Sequence, residues 1–161
     1  MIVSNTLVEN PTRSQGEIMS ELLKVAESVL AAMPFAAHVG GRITRFEPGL
    51  ATLELEIDDT LRQQYGLVHG GVLAYAADNA LTFAAGTVLG TSIITNGFTI
   101  NYLRPARNGL LRAEAQVAHN NERMAVCTVT IDEVSADGTT TRCAIAQGTA
   151  STTSRSGTAT S

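Results

Sequence analysis

Cysteine is scarce in this 161-residue chain, and positive charge is not in excess. The two cysteines, Cys127 and Cys143, lie in strand-like segments, so neither a disulfide framework nor a thiolate metal site is indicated. A formal net charge of -4 provides no general basic field, which argues against nucleic acid or an anionic membrane as the main partner. We expect a reduced, cytoplasmic protein.

Export and membrane signals are also lacking. The N-terminus has no basic region followed by an apolar run and a small-residue cleavage site, so no signal peptide is expected. The stretch 71–90 has the length of a membrane span, but it contains Asp78 and Asn79. An Asp at mid-span costs about 2.5 to 3.5 kcal/mol on insertion scales. We therefore expect a core helix here, and no membrane partner.

Metal ligands and a serine nucleophile are missing as well. The three histidines, His38, His69 and His119, have no acidic or Cys cluster at a recognised spacing, so no metal site and no cofactor are expected. No serine lies in a nucleophile-elbow motif, which argues against a Ser-His-Asp mechanism. Any hydrolytic chemistry must then come from other groups.

What is present is the composition of a packed domain, with 44% hydrophobic residues. We predict one domain over residues 14–153, between flexible ends at 1–13 and 154–161 that lack apolar periodicity. The segment from Ser14 to Glu17 is typical of a capping box and begins an amphipathic helix that ends at Pro34.

Changes in hydrophobic period predict the rest of the fold. Alternation after Val39, interrupted at residues 47–49, indicates two antiparallel strands, and the stretch 71–89 is apolar on nearly every face, which is typical of a buried helix. Four longer strand-like segments follow, at 92–103, 110–119, 123–134 and 141–152. Turn signals between them, such as Asn108-Gly109, predict an antiparallel meander. The fold class is therefore α+β, with about six strands wrapped around a buried central helix and an extra N-terminal helix.

Asp78 is the most unusual residue of the central helix, because an ionised carboxylate in an apolar setting has a large desolvation cost. Thr82 follows four residues later on the same helix face, where its hydroxyl can hold a water beside the carboxylate. Such a pair suits a general base. The alternatives are structural: Asp78 accepts hydrogen bonds at a subunit seam, and Thr82 bonds back to a backbone carbonyl.

The segment His69-Gly70-Gly71 stands where the central helix begins, so the backbone can approach a ligand closely and direct free N–H groups at it. These donors lie at the positive end of the helix dipole and suit a thioester carbonyl that becomes an oxyanion. Loop closure alone would also explain the two glycines. For His69, orienting the turn is favoured over proton transfer.

The spacing of these groups leads to a prediction about assembly. Gly70 and Asp78 are eight residues apart, which is about 12 Å along a helix axis at 1.5 Å per residue. One chain cannot easily bring both to a single carbonyl. A two-fold axis that sets two central helices antiparallel can, so a shared site requires a homodimer.

Two segments resemble a known family: residues 63–82, QQYGLVHGGVLAYAADNALT, and residues 101–106, NYLRPA. They are similar to the hotdog-fold acyl-CoA thioesterases, specifically the phenylacetate-pathway-like group that includes the 4-hydroxybenzoyl-CoA thioesterases. The resemblance covers the chain from about residue 34 to 152. It implies a hotdog fold, hydrolysis of an acyl- or aryl-CoA thioester to free acid and CoA without a cofactor, and usually a homotetramer built from two dimers.

The resemblance also implies roles for the catalytic residues. Asp78 would be the base or nucleophile, the Gly70 amide would polarise the thioester carbonyl, and His69 would support that loop. Gln63, where many members have Asn, would orient substrate or water, and Thr82 would position water. Because some members have Glu in place of Asp78, the choice between direct attack and water activation stays open.

Substrate binding is expected to involve the backbone at Gly71 and the hydroxyl of Thr95, which matches a hydroxyl position in part of the family. The phosphates of coenzyme A favour arginines, and the candidates are Arg104, Arg107 and Arg123 near strand ends, each of which could equally be a surface charge. The acyl group stays open among aryl, short and medium chains.

Two other functions stay open at this stage. A hotdog hydratase or dehydratase would use a His with a separately placed Asp or Glu, and this chain has His69 and Asp78 but not the motif order of those enzymes. A non-catalytic acyl-CoA binding module would retain the pocket without turnover. Thiol release from acyl-CoA distinguishes a thioesterase from both of these alternatives.

Overall fold

The computed structural model describes residues 14–153, and the two predicted flexible ends lie outside the described residues. Within them the elements are α1 (Gln15–Ala31), α2 (Pro34–Val39), β1 (Arg42–Glu47), β2 (Leu50–Glu56), a short 3-10 turn (Asp59–Leu61), α3 (Gly70–Leu89), β3 (Ile93–Tyr102), β4 (Leu110–Asn120), β5 (Met124–Val134) and β6 (Thr140–Thr152). Every predicted helix and strand is present, with boundaries within a few residues.

The N-terminal helix begins as predicted. Ser14 Oγ accepts a hydrogen bond from the Glu17 N–H at 3.3 Å, and the Glu17 carboxylate accepts one from the Ser14 N–H at 2.8 Å, which completes the capping box. The chain leaves this helix before Pro34, but Pro34 also begins α2, a short helix that was not predicted. Proline is favoured at a first helical position because its ring fixes φ and no acceptor is needed for the missing N–H.

The six strands form one antiparallel sheet in the order β1-β2-β4-β5-β6-β3. The predicted meander is correct for β4, β5 and β6 but wrong for β3, which pairs with β6 and forms one edge of the sheet. Asn108-Gly109 therefore does not make a hairpin. Gly109 has φ 79°, and a Cβ there would lie 2.3 Å from the Val134 carbonyl oxygen, so the glycine permits a close backbone approach where the chain enters β4.

The sheet curves around α3, and the predicted architecture of six strands, a central helix and an N-terminal helix is confirmed. The face of α3 that packs on the sheet is rich in alanine, which allows the helix to approach the strands closely. Its buried residues are Leu73, Ala76, Ala77, Ala80, Leu81, Phe83, Ala84 and Ala85. By length and composition α3 could cross a membrane, but in this fold it is the helix of the core.

The expectation that α3 is buried on all sides needs a correction. The sheet covers one side of the helix, and on the other side Ala74, Asp78 and Thr82 are half-buried while Gly71 and Val88 are exposed. The reason is geometric, since a single curved sheet wraps only part of a cylinder. One side of an apolar helix is thus left open in a single chain, and Asp78 lies on it.

Candidate active site

Asp78 belongs to a cluster of three polar side chains from α3 and β3, which we term the Asp78 cluster. The Thr95 hydroxyl on β3 donates a 2.7 Å hydrogen bond to Asp78 Oδ1. The Thr82 hydroxyl lies 2.9 Å from the Thr95 hydroxyl and 2.8 Å from the backbone carbonyl oxygen of Asp78. The structure therefore brings together three of the residues singled out in the sequence.

The number of hydroxyl protons limits the possible directions of these bonds. Each threonine hydroxyl has one proton to donate. Because the Thr95 proton points to the Asp78 carboxylate, Thr82 must donate, either to Thr95 or back to the Asp78 carbonyl. The Thr95 hydroxyl is therefore the donor to the carboxylate, and the single Thr82 proton has two possible acceptors, the Asp78 carbonyl and the Thr95 hydroxyl. In the part of the chain that the structure describes, Asp78 Oδ2 has no hydrogen-bond partner and is open to water or ligand.

A β-bulge in β3 places Thr95 in this cluster. The register of β3 against β6 shifts between Thr95 and Gly97, so Asn96 is an extra residue on β3. Before the bulge Ile93 and Thr95 face α3, and after it Phe98 and Ile100 do. Without the extra residue, strict alternation would turn one of these two pairs away from the helix.

The N-terminus of α3 is organised by His69. His69 Nδ1 accepts a 2.9 Å hydrogen bond from the Gly71 N–H, and the His69 carbonyl accepts one from the Val72 N–H at 2.9 Å. The His69 N–H donates to the Leu61 carbonyl at 2.8 Å, which ties the turn to the preceding loop. His69 is thus the N-cap of α3, and the Gly71 N–H, expected at the substrate, is already engaged by that cap. A Cβ on Gly71 would lie 3.0 Å from His69 Nδ1, so a glycine keeps the cap unhindered.

The Gly70 N–H is left as an open donor. No acceptor for it occurs among residues 14–153, whereas its carbonyl accepts a 3.0 Å hydrogen bond from the Tyr102 hydroxyl. Gln63, Gly70, Tyr102 and Arg104 line a surface cleft of about 340 Å³ beside the helix start. We term this the Gly70 cleft. Gln63 is placed by its own turn, since its side-chain Oε1 accepts a 2.8 Å hydrogen bond from the Tyr65 N–H.

The Gly70 cleft and the Asp78 cluster lie apart in one chain. Helix α3 runs antiparallel to β3: Gly70 is beside Tyr102 at the end of that strand, and a Cβ on Gly86 would be 3.6 Å from Ile93 at its beginning. Along α3, Gly70 and Asp78 are separated by about 12 Å. Within a single chain, the structure therefore keeps these two groups apart, in agreement with their spacing in the sequence.

Comparison with known proteins identifies the family. The thioesterase superfamily profile matches residues 65–137, a range that includes both Gly70 and Asp78. The 1,4-dihydroxy-2-naphthoyl-CoA hydrolase of Listeria monocytogenes is 31% identical over 111 residues, which cover 67% of this chain and 90% of that protein. The chain belongs to the thioesterase superfamily. The resemblance seen in the sequence and the prediction of a thioester hydrolase are confirmed at the level of the family.

Solved structures agree with this thioesterase fold. A thioesterase family protein from Silicibacter pomeroyi superimposes with a TM-score of 0.73 at 27% identity, over 78% of this chain and 93% of that one. The PaaI protein from the phenylacetic acid degradation operon of E. coli has a TM-score of 0.72 at 23% identity, over 84% and 95% of the two chains. The second likeness supports the fold alone.

The arginines of this thioesterase are distributed over both ends of β3. Arg104 lines the Gly70 cleft, just beyond the last residue of the strand. Arg123 lies in the turn before β5, where its carbonyl accepts a hydrogen bond from the Thr152 N–H at 2.9 Å, and Thr152 pairs with Ile93 at the opposite end of β3. The Arg107 backbone N–H donates to the Glu133 carboxylate, and its side chain is exposed.

Two residues near the site were missed by sequence reasoning. Arg62, whose side chain is 20% exposed, pairs with Asp59 at 3.1 Å and donates to the carbonyls of Gly66 and Arg107, which fixes the loop that carries Gln63. Tyr102 holds the Gly70 carbonyl. Tyr102 lies inside the second family-like segment, so the resemblance provided a signal, whereas the contact of Arg62 with Arg107 spans 45 residues and no local pattern marks it.

Proposed function

We propose that this thioesterase hydrolyses an acyl-CoA thioester to the free acid and CoA. The observation that carries the proposal is the Asp78 carboxylate, which is held at one oxygen by Thr95 and open at the other, on the uncovered side of an apolar helix. A partly desolvated carboxylate with one open oxygen is suited to general-base work. The Listeria relative is named as the hydrolase of a CoA thioester, which supports the substrate class.

The proposed reaction needs two groups at the thioester carbonyl. Asp78 Oδ2 takes a proton from water as the water oxygen adds to the carbonyl carbon, and the Gly70 N–H donates to the resulting oxyanion. The tetrahedral intermediate collapses, the carbon–sulfur bond breaks, and the thiolate of CoA leaves and is protonated. One donor of this kind is typically worth on the order of 2.7 to 4 kcal/mol in the transition state. We take water activation as the working form of this step, with Oδ1 held by Thr95 and the open Oδ2 as the proton acceptor.

The site is proposed to be shared between two copies of the chain. Asp78 and Gly70 are too far apart for one carbonyl within a chain, and both lie along the uncovered side of α3. The adjacent edge strand β3 has only β6 as a neighbour in the described residues, and Ile94, Tyr102 and Leu103 are exposed on or beside it. A two-fold axis beside β3 would cover this apolar surface and set Gly70 of one copy against Asp78 of the other. Association of two such dimers into a homotetramer remains part of the proposal.

Binding of the CoA part is proposed at the Gly70 cleft. Gln63 and Arg104 line that cleft together with Gly70, so the carboxamide can orient the thioester and the guanidinium can contact a phosphate. Arg123, at the opposite end of β3, could reach the same site only from the other copy. A cytoplasmic location is likewise proposed, since Cys127 and Cys143 are both free and buried.

The test is thiol release from a panel of acyl-CoAs by wild type and by Asp78→Asn. Removal of a general base is expected to lower kcat by about 10² to 10⁴ with little change in KM. Asp137→Asn serves as the matched control, because Asp137 is an exposed residue of the turn before β6 whose side chain accepts from the Thr139 N–H, and Asn keeps that acceptor. Equal rates for wild type and Asp78→Asn would remove Asp78 from the mechanism.

The rival hydratase function finds less support in the geometry. It would need His69 as a base, but His69 Nδ1 accepts the Gly71 N–H, which places the proton of the neutral ring on Nε2 and leaves no free nitrogen lone pair. Incubation of the protein with an enoyl-CoA separates the functions, since a hydratase forms a hydroxyacyl-CoA without thiol release. A binding module would release neither product.

A further inference from the structure

A second cavity lies between α1 and the C-terminal half of α3, with a volume of about 400 Å³. We term it the α1–α3 groove. Its walls are mainly apolar and come from three elements: Leu22, Val25 and Val29 from α1, Phe83 and Gly86 from α3, and Ile93 from β3. This volume falls in the range of about 300 to 1,000 Å³ that is typical of small-molecule sites.

Helix α1 has two apolar stripes, and only one of them is used in the core. Ala26 and Leu30 are buried against the rest of the protein. Leu22, Val25 and Val29 remain 39%, 58% and 46% exposed, although they recur at helical spacing. Their spacing of seven residues gives the groove a straight apolar wall of about 10 Å. An elongated wall of this kind fits an extended chain better than a compact ring.

The groove ends at the Asp78 cluster. Thr82, whose hydroxyl contacts Thr95, is part of the groove wall. Ile93 is two residues before Thr95 on the same strand and faces the same side. A substrate whose thioester carbonyl lies at Asp78 would therefore have the groove directly beside its acyl group.

Polar groups in the groove wall are largely occupied. The Thr87 hydroxyl donates to the Ala84 carbonyl at 2.6 Å and accepts from the Gly49 N–H at 2.7 Å. The Glu47 carboxylate pairs with Arg45 at 2.7 Å. Apart from Thr91 and the second Glu47 oxygen, the wall offers few free polar groups, so a ligand hydroxyl along most of the groove would lose its water and gain little in return, which disfavours hydroxylated acyl groups.

We propose that the α1–α3 groove binds the acyl group of the substrate and makes the enzyme selective for medium-length aliphatic acyl chains over short acyl and hydroxylated aryl groups. The inference rests on the proposed function, because it takes Asp78 as the reacting end of the substrate. Each methylene buried in the groove is expected to raise kcat/KM by up to about fourfold until the groove is filled.

The experiment introduces larger side chains on both walls of the groove and measures kcat/KM as a function of acyl chain length. Gly86→Leu and Val25→Phe are suitable variants, because a Cβ on Gly86 meets only Ile93 at 3.6 Å and Val25 is 58% exposed. Ile18→Phe is the matched control: Ile18 is an apolar residue of α1 that is 44% exposed and not part of the groove wall. Substrates are acetyl-, butyryl-, octanoyl- and 4-hydroxybenzoyl-CoA, with light scattering to report the mass of each protein in solution.

Wild type and Ile18→Phe should prefer octanoyl-CoA to acetyl-CoA and to 4-hydroxybenzoyl-CoA by at least about tenfold in kcat/KM. Each groove variant should lose at least about tenfold on octanoyl-CoA and stay within about twofold on acetyl-CoA. As a second readout, octanoate should raise the melting temperature of wild type but not of Val25→Phe.

Three results would overturn the groove assignment. The first is an unchanged chain-length profile in the groove variants, and the second is a wild type that prefers 4-hydroxybenzoyl-CoA. The third is an equal loss of activity on all substrates together with a changed mass in solution, which would make the groove a subunit contact. A wild type that releases no thiol from any substrate would instead refute the proposed function. Failure of the two proposals is therefore distinguishable.

Discussion

The two halves of the proposed site are built in different ways. The Gly70 half consists of backbone groups at a helix N-terminus, where the His69 cap organises the first turn and Tyr102 holds the Gly70 carbonyl. The Asp78 half consists of side chains, and its key contact joins two residues on different elements, Asp78 and Thr95, which are 17 positions apart in sequence. A backbone donor is unaffected by most side-chain changes, whereas a carboxylate depends on every group around it. We expect the two halves to respond differently to mutation.

The largest effect is expected when the two halves of the site are inactivated in two separate variants, which are then mixed. Gly70→Pro removes the backbone donor and Asp78→Asn removes the base, so each variant alone should be nearly inactive. Random exchange of subunits between equal amounts gives half heterodimers, each with one intact site of two, so mixing should recover about a quarter of wild-type activity. Thiol release is measured before and after exchange.

Tagged chains should confirm that subunits have exchanged. A mixture of two preparations of Asp78→Asn alone is the control and should stay inactive. An inactive mixture of the two variants despite confirmed exchange contradicts a shared site.

A smaller effect is expected at Thr95, which acts through Asp78 as a positioning residue. Thr95→Val keeps the shape but removes the donor to Asp78 Oδ1, so we expect a decrease in kcat of about 10- to 100-fold with KM nearly unchanged. Thr95→Ser restores the hydroxyl and should recover most of the rate. Steady-state kinetics of the three proteins provide the measurement, and a Ser variant as slow as Val would point to a packing role instead.

The smallest effect is expected at His69. His69→Ala removes the acceptor for the Gly71 N–H, which should cost about 1 kcal/mol in the free energy of unfolding and only several-fold in kcat. His69→Asn offers another good N-cap and should retain both properties. Urea unfolding and thiol release are measured side by side. If His69→Asn keeps its stability but loses activity by more than 100-fold, His69 has a chemical role beyond the cap.

The same contrast explains which features could be predicted from the sequence. The capping box at Ser14, the start of α3 at Gly70 and the separation of Gly70 from Asp78 all depend on residues within one or a few helical turns. Short-range sequence patterns indicate such features directly. The family-like segment at residues 63–82 added the expectation of a thioesterase, because it contains both halves of the proposed site.

Features that depend on long-range pairing could not be predicted in this way. Asn108-Gly109 has the local pattern of a hairpin, but the glycine serves a close approach to Val134, and β3 crosses to the other end of the sheet to pair with β6. The contact between Thr95 and Asp78 depends on that pairing and on the bulge at Asn96. Arg62 likewise contacts Arg107, which is brought near only by the completed fold.

The bulge at Asn96 has a consequence for solubility. Before two chains associate, β3 is an edge strand that has only β6 beside it in the described residues, and an uninterrupted edge of this length could pair with strands of unrelated chains and begin aggregation. The extra residue breaks the regular spacing of backbone donors and acceptors, so a regular foreign strand cannot match it along its whole length. The irregularity that turns Thr95 toward Asp78 thus also limits which strands can pair with this edge.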